Sequence, residues 1–160
     1  MRAAPLVDAL PGRVIDVGSG GGSPGLPLAV VRPERAFTLL EAKRRKCEFL
    51  EPLAGELPNV DVVWGRAEEQ PVEAYGVALA KALAKPPVAV ELCLPLVEVG
   101  GAALLWLGST ADREALAHAA GQVGGALERE VGGIALVRKV RPTPPGFPRR
   151  PGIAKKRPLA

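Results

Sequence analysis

Residues 14–28, VIDVGSGGGSPGLPL, constrain this chain more than any other stretch. Val14, Ile15 and Val17 place three branched apolar side chains in four positions, the pattern of a strand buried on both faces. Asp16 interrupts the run near its end, and Gly18, Gly20, Gly21 and Gly22 follow. Glycines there admit positive φ and let a ligand approach the backbone with no Cβ in the way. Ser23 suits a helix N-cap and Pro24 the first helical position, where a missing amide costs nothing. Strand, glycine turn and helix start together predict a nucleotide-type site, with free amides and a positive dipole end facing the ligand.

The spacing Asp16-x-Gly18-x-Gly20-x-Gly22 resembles the S-adenosylmethionine loop of class I methyltransferases. Gly20-x-Gly22-x-x-Gly25 also satisfies the weaker dinucleotide fingerprint. No Gly-Lys-Ser/Thr follows, which argues against a triphosphate-cradling loop. A second strand, Ala36 to Leu40, leads into Glu41, about 20 residues past the glycines, where an acid accepts ribose hydroxyls in either cofactor class.

Regular alternation continues beyond that point. A helix from Pro24 to Val31 is closed by Pro33, and Lys43-Arg44-Arg45-Lys46 opens another that Pro52 ends or kinks. Cations at a helix start oppose the macrodipole, so helix stability does not account for them. They are either a solvated basic face or a contact for a polyanion. Strand three is Val60 to Trp64 and strand four Gly76 to Ala80, ending at Lys81. Pro86 and Pro87 start an apolar helix, Val88 to Val97, bent at Pro95. Strand five is Ala102 to Leu107, Thr110 caps a helix from Ala111 to Val123, and Leu127 to Val131 and Gly133 to Val140 supply late strands. The expected fold is α/β, a doubly wound and mostly parallel sheet. Ligands of such sheets bind beyond the strands' carboxyl ends, where strand order reverses, so Gly18, Glu41, Ala67, Glu68 and Lys81 should converge on one face.

The net charge of +4 is unevenly distributed. Residues 138–160 carry eight bases and no acid, so all of the basic excess sits at one end. Within that end, residues 141–160 hold six prolines and are expected to form neither helix nor central strand. The expected organisation is a cofactor-binding domain, 1–140, and a basic tail, 141–160. That tail is either disordered or a clamp for a phosphate backbone, and removing it should leave cofactor affinity nearly intact. Cys47 and Cys93 lack metal-ligand spacing and read as buried, reduced thiols of a cytoplasmic protein; His118, the only histidine, reads as structural. No apolar run reaches bilayer length and no signal-peptide pattern opens the sequence.

With loop, second acid and tail taken together, the chain resembles the bacterial small-subunit ribosomal RNA guanine-N7 methyltransferases, the glucose-inhibited division protein B family. The segments that carry the likeness are VIDVGSGGGSPGLPLA, TLLEAKRRKCEFLE, GRAEE, ALAKALA, ELCLPLVEVGG and FPRRPGIAKKRPL. The resemblance implies S-adenosylmethionine as cofactor and 16S rRNA of the 30S subunit as partner, with no membrane association. It places Asp16, Gly18, Gly20 and Ser23 at the cofactor loop, Glu41, Ala42 and Lys43 at the ribose, and Ala67 and Glu68 at the adenine. Lys81 stands where the family has an arginine near cofactor and target, and is the expected catalytic residue. Arg44, Arg45, Lys139, Arg149, Arg150, Lys155 and Lys156 are the expected RNA contacts. The sequence departs from the family pattern at four residues. Lys81 replaces the arginine, Ser23 a Phe or Leu, Gly76 an Asp that commonly opens strand four, and Leu107 a common Lys. The family's upstream helical region, with its His-x-x-Asp-Ser segment, has no counterpart in these 160 residues, so the likeness is to a short member.

The implied reaction is methyl transfer to guanine N7, which carries a lone pair and no proton and needs no general base. Two other readings stay open at this level. One is a catalytically weak or inactive cofactor-binding protein that holds RNA; the other, less favoured, is a nicotinamide-dependent oxidoreductase.

Overall fold

A computed structural model describes residues 2–159. Its strands are β1 (Val14–Val17), β2 (Phe37–Glu41), β3 (Val60–Trp64), β4 (Tyr75–Ala80), β5 (Val97–Trp106), β6 (Gly125–Val131) and β7 (Ile134–Lys139). They form one sheet in the order β3-β2-β1-β4-β5-β7-β6. The first five are parallel, and β7 pairs antiparallel with both β5 and β6. Strand order reverses between β1 and β4, which is where an open α/β sheet offers its crevice. Gly132 and Gly133, at φ 57° and 81°, make the two-residue turn that returns β6 into β7.

Helices α1 (Ala4–Asp8), α2 (Gly25–Val31) and α3 (Arg44–Gly55) cover one face. Helices α4 (Pro86–Cys93) and α5 (Arg113–Gln122) cover the other, and the short α6 (Ile153–Lys156) lies against α4. Strand side chains alternate between the two layers. Val14, Leu39, Val77 and Leu104 meet Leu28 and Leu50, whereas Ile15, Ala78 and Ala103 meet Val90 and Leu116. Among the described residues, no helix is long and apolar enough to cross a membrane.

Several local expectations are corrected. The first dozen residues carried no expected element, yet α1 buries Leu6 and Val7 in the core. Helix α3 runs three residues past Pro52, because Leu50 and Ala54 keep its inner face buried on either side of the missing amide. The apolar helix ends at Cys93. Pro95 has no N–H for the carbonyl four residues back, so residues 94–96 tighten into a 3-10 turn and β5 begins at Val97. Asp112, not Thr110, caps α5: its carboxylate accepts from the Ala115 amide at 2.9 Å. A carboxylate also suits the positive end of the helix dipole better than a hydroxyl.

The unusual residue at 76 has a steric cause. Gly76 lies where the loop ahead of β1 crosses β4, and its amide donates to the Arg13 carbonyl at 3.0 Å. A Cβ at this position would overlap the Pro11 carbonyl. Gly76→Ala should therefore cost about 3 kcal/mol of stability, the upper part of the range for forced overpacking. Denaturant unfolding of the purified variant checks this, and a change within about 0.5 kcal/mol, the usual scale of a tolerated surface substitution, would refute it.

Candidate functional site

The carboxyl end of β1 is organised by a buried carboxylate. Asp16 is 1% exposed, and its Oδ2 accepts the Gly25 amide at 2.9 Å, the first residue of α2. Asp16 thus caps the helix, and Ser23, expected to do so, makes no capping bond. Ser23 instead lies exposed, two residues before Gly25. Burial lifts the Asp16 carboxyl to a pKa of about 7, against a Gly25 hydrogen bond that pulls it down.

The glycine loop is also more self-satisfied than expected. Gly18 and Ser19 donate their amides to the Leu40 carbonyl, at 2.8 and 3.0 Å, and Gly22 donates to the Ser19 carbonyl. Gly20 donates to Glu41 Oε2 at 3.0 Å, while Glu41 Oε1 accepts the Lys43 amide at 2.9 Å. The expected row of free amides is therefore corrected in part: those of Gly18, Ser19, Gly20, Gly22 and Gly25 are already held by neighbouring carbonyls and two carboxylates. This arrangement disfavours a pyrophosphate, because the Gly25 amide at the helix start is taken by Asp16.

Two cavities open side by side at the carboxyl edge of the sheet, sharing Ala82 and Leu83. The smaller, about 380 Å³, is lined by Gly18, Glu41, Ala42, Lys43, Ala67 and Glu68, six of the expected cofactor residues. Its size falls within the range of about 300–1,000 Å³ for small-molecule sites. Glu41 spends one lone pair on each amide, and a carboxylate accepts about four bonds in all, so capacity remains for a pair of hydroxyls. Gly18 takes φ 71°, a conformation that favours glycine, and a Cβ there would force the Leu83 side chain to shift. The larger cavity, about 890 Å³, lies beyond β4 and β5, is mostly apolar, and has Lys81 at its edge. Asp16, Gly20 and Ser23 line neither cavity; the first two act by shaping the loop.

A family model described as rRNA small subunit methyltransferase G matches residues 1–128. This chain belongs to that family. A member from Symbiobacterium thermophilum is 43% identical over 92% of this chain and 70% of its own length. A Synechococcus member is 37% identical over 96% of this chain and 66% of its own length, so the chain spans about two thirds of such relatives. Among solved structures, a TehB-like SAM-dependent methyltransferase from Corynebacterium glutamicum superposes with a TM-score of 0.65, covering 86% of each chain at 16% identity. A T. thermophilus 16S rRNA methyltransferase in complex with AdoMet and guanosine reaches 0.64 over 84% of this chain and 37% of that one, at 22% identity. The fold is that of class I SAM-dependent methyltransferases.

For this family member, the expected RNA contacts divide. Arg44 and Arg45 are exposed at the start of α3, with Arg44 stacked over Trp64 at 5.5 Å and paired with Glu48 at 3.2 Å. Arg150 and Lys156 are exposed on the outer side of the C-terminal segment. Lys139 is not available to RNA. It is wholly buried, its Nζ donates to the Leu94 carbonyl at 2.8 Å and to Thr143 Oγ1 at 2.6 Å, and burial lowers its pKa to about 8. Arg149 is engaged as well: its Nε and Nη2 grip the two oxygens of buried Glu91, both at 2.5 Å. Neither role is readable from a run of bases, because each depends on a buried acceptor distant in sequence.

The tail itself is ordered. Phe147 and Leu159 pack on the core, Arg149 Nη2 donates to the Arg157 carbonyl at 2.8 Å, and α6 forms where no helix was expected. The proline-free stretch Gly152–Arg157 is long enough for one helical turn once these contacts hold its ends. Sequence reasoning also missed Lys46, Leu83, Gly152 and Ala154 as cavity residues; the Pro151-Gly152 turn signal was present but said nothing of location.

Asp16 generates a pH prediction. Its folded pKa of about 7 lies above the ordinary 3.8, so the folded state holds the proton more tightly. Its contribution to stability is complete below pH 3.8 and is lost as pH rises through 7. Asp16→Asn keeps an acceptor for Gly25 and removes the titration. Relative to the parent, its urea-unfolding stability should gain steadily across that interval, and a constant difference would refute the assignment.

Proposed function

We propose that this chain is an S-adenosylmethionine-dependent methyltransferase that modifies N7 of a guanine in 16S rRNA of the small ribosomal subunit. Membership of the rRNA small subunit methyltransferase G family and the class I fold support the reading. The observation that carries it is the pair of adjoining cavities, one lined by Gly18, Glu41 and Ala67, the other with Lys81 among its lining residues. The reading places the chain in the cytoplasm with its ribosomal substrate.

The smaller cavity suits the cofactor. Glu41 would accept the ribose hydroxyls, Ala42 and Lys43 would flank them, and Ala67 and Glu68 would border the adenine. Bound there, the cofactor supplies an electrophilic methyl group on a sulfonium. Guanine N7 presents its lone pair directly, so the chain is asked to orient the base rather than to move a proton. The mostly apolar walls of the larger cavity suit an unstacked base, and Leu83, common to both cavities, stands at their junction. Lys81 follows β4, which is hydrogen-bonded to β1, the strand that leads into the glycine loop, and this supports a place for it near the site. Its exposed ammonium would donate to guanine O6 or to a phosphate. It is a point charge on a flexible stem where the family arginine offers a planar fork, so orientation is less tightly set.

Calorimetric titration with S-adenosylhomocysteine tests the cofactor site. The parent should bind, and Glu41→Ala should weaken binding by roughly 1.5–3 kcal/mol, the range for a charge-assisted hydrogen bond. Single-turnover methylation of 30S subunits tests Lys81: Lys81→Arg should be faster than the parent and Lys81→Ala slower, with melting temperatures unchanged. A Lys81→Ala rate equal to the parent's would remove Lys81 from catalysis and favour a protein that binds RNA without turnover.

A further inference from the structure

The basic C-terminal segment looks, in sequence, like an RNA clamp separable from the cofactor domain. Its contacts place it elsewhere. Gly152, Ala154 and Lys155 line the smaller cavity together with Gly18 and Glu41. The Gly152 amide donates to Glu68 Oε1 at 3.1 Å, which ties the segment to the wall formed after β3. Four residues on from Ala154, Pro158 lines the larger cavity. One short stretch therefore borders both cavities.

The stretch is held there by specific anchors. Arg149 bridges buried Glu91 of α4 and the Arg157 carbonyl. Gln122 Nε2 of α5 donates to the Leu159 carbonyl at 2.8 Å, and Thr143 is fixed between Lys139 and Glu73. Glu91 is 2% exposed and paired with Arg149, so detaching the segment would strand its charge in the interior.

We propose that residues 152–158 form a fixed wall of the cofactor site, and that Lys155 contacts the purine end of the bound cofactor. The inference rests on the cofactor assignment made above. Lys155 lies on the same turn as Gly152, next to the Ala67–Glu68 wall, and its side chain is exposed with no acid partner among the described ion pairs. A purine offers ring nitrogens as acceptors and a π face for an ammonium. Lys156 and Arg157 line neither cavity and remain for the phosphate backbone. The segment thus has an inner side for cofactor and an outer side for RNA.

The test compares Lys155→Ala, Lys155→Arg and Lys156→Ala with the full-length parent, by S-adenosylhomocysteine calorimetry and by the salt dependence of binding to 30S subunits. Lys155→Ala should weaken the homocysteine analogue about fivefold to tenfold, Lys155→Arg should recover most of that, and melting temperatures should not move. The slope of log K against log salt should flatten for Lys156→Ala and hold for Lys155→Ala. Lys155→Ala with parental affinity for the analogue overturns the proposal, as does a flattened salt slope in that variant, which would return Lys155 to the RNA contacts. A parent that does not bind the analogue overturns the cofactor assignment itself, and the proposal with it.

Discussion

The hydrogen bond from the Gly25 amide to the Asp16 carboxylate joins the end of the first strand to the start of the first covering helix. Everything at the ligand-binding edge follows from that junction. With Asp16 occupying the helix start, the intervening glycines must loop outward, and Gly18, Gly20 and Gly22 take positive φ to do so. Closing the loop brings the Gly20 amide onto Glu41, which links β1 to β2. A carboxylate at 1% exposure is an expensive cap, and its burial raises its pKa to about 7. What it secures is a loop whose Gly18, Ser19, Gly20 and Gly22 amides are internally satisfied and which leaves Glu41 acceptor capacity facing the smaller cavity.

That economy separates two ligand classes which the glycine spacing alone left together. A dinucleotide site needs an open helix N-terminus for its pyrophosphate, and here the Gly25 amide at the helix start is already bonded to Asp16. A nucleoside with a ribose and no phosphate asks only for an acceptor at the end of β2 and apolar walls around the base. Glu41, Ala67, Leu83 and Leu92 provide these in the smaller cavity. Family membership and the class I fold agree with the electrostatic argument, although they come from different observations.

The C-terminal segment illustrates how charge composition misleads about location. A run with eight bases and no acid reads as a polyanion-binding tail. Two of those bases, Lys139 and Arg149, are instead buried or half-buried counterparts to acids on β4's approach and α4. They act as fasteners, whereas Arg150, Lys156 and Arg157 are exposed and have no acid partner among the described residues. The same segment lines the smaller cavity and packs Phe147 and Leu159 on the core, so in space it is continuous with the sheet domain.

Sequence by itself determined the strands β1 to β4, the loop between β1 and α2, the acid at the end of β2, and the parallel α/β class. These are set by local patterns: branched apolar runs, glycine and proline punctuation, and short fixed spacings. Sequence did not determine which atoms the loop amides meet, that α1 belongs to the core, where the helix before β5 ends, or why residue 76 is glycine. Nor did it place Lys139, Arg149 or the Gly152–Pro158 wall. Each of those depends on a partner far along the chain, such as Pro11 against Gly76, Glu91 against Arg149 and Glu68 against Gly152. Such pairings arise only when the sheet order brings distant segments together, and a buried charge or an occupied volume then decides which side chains the site can keep.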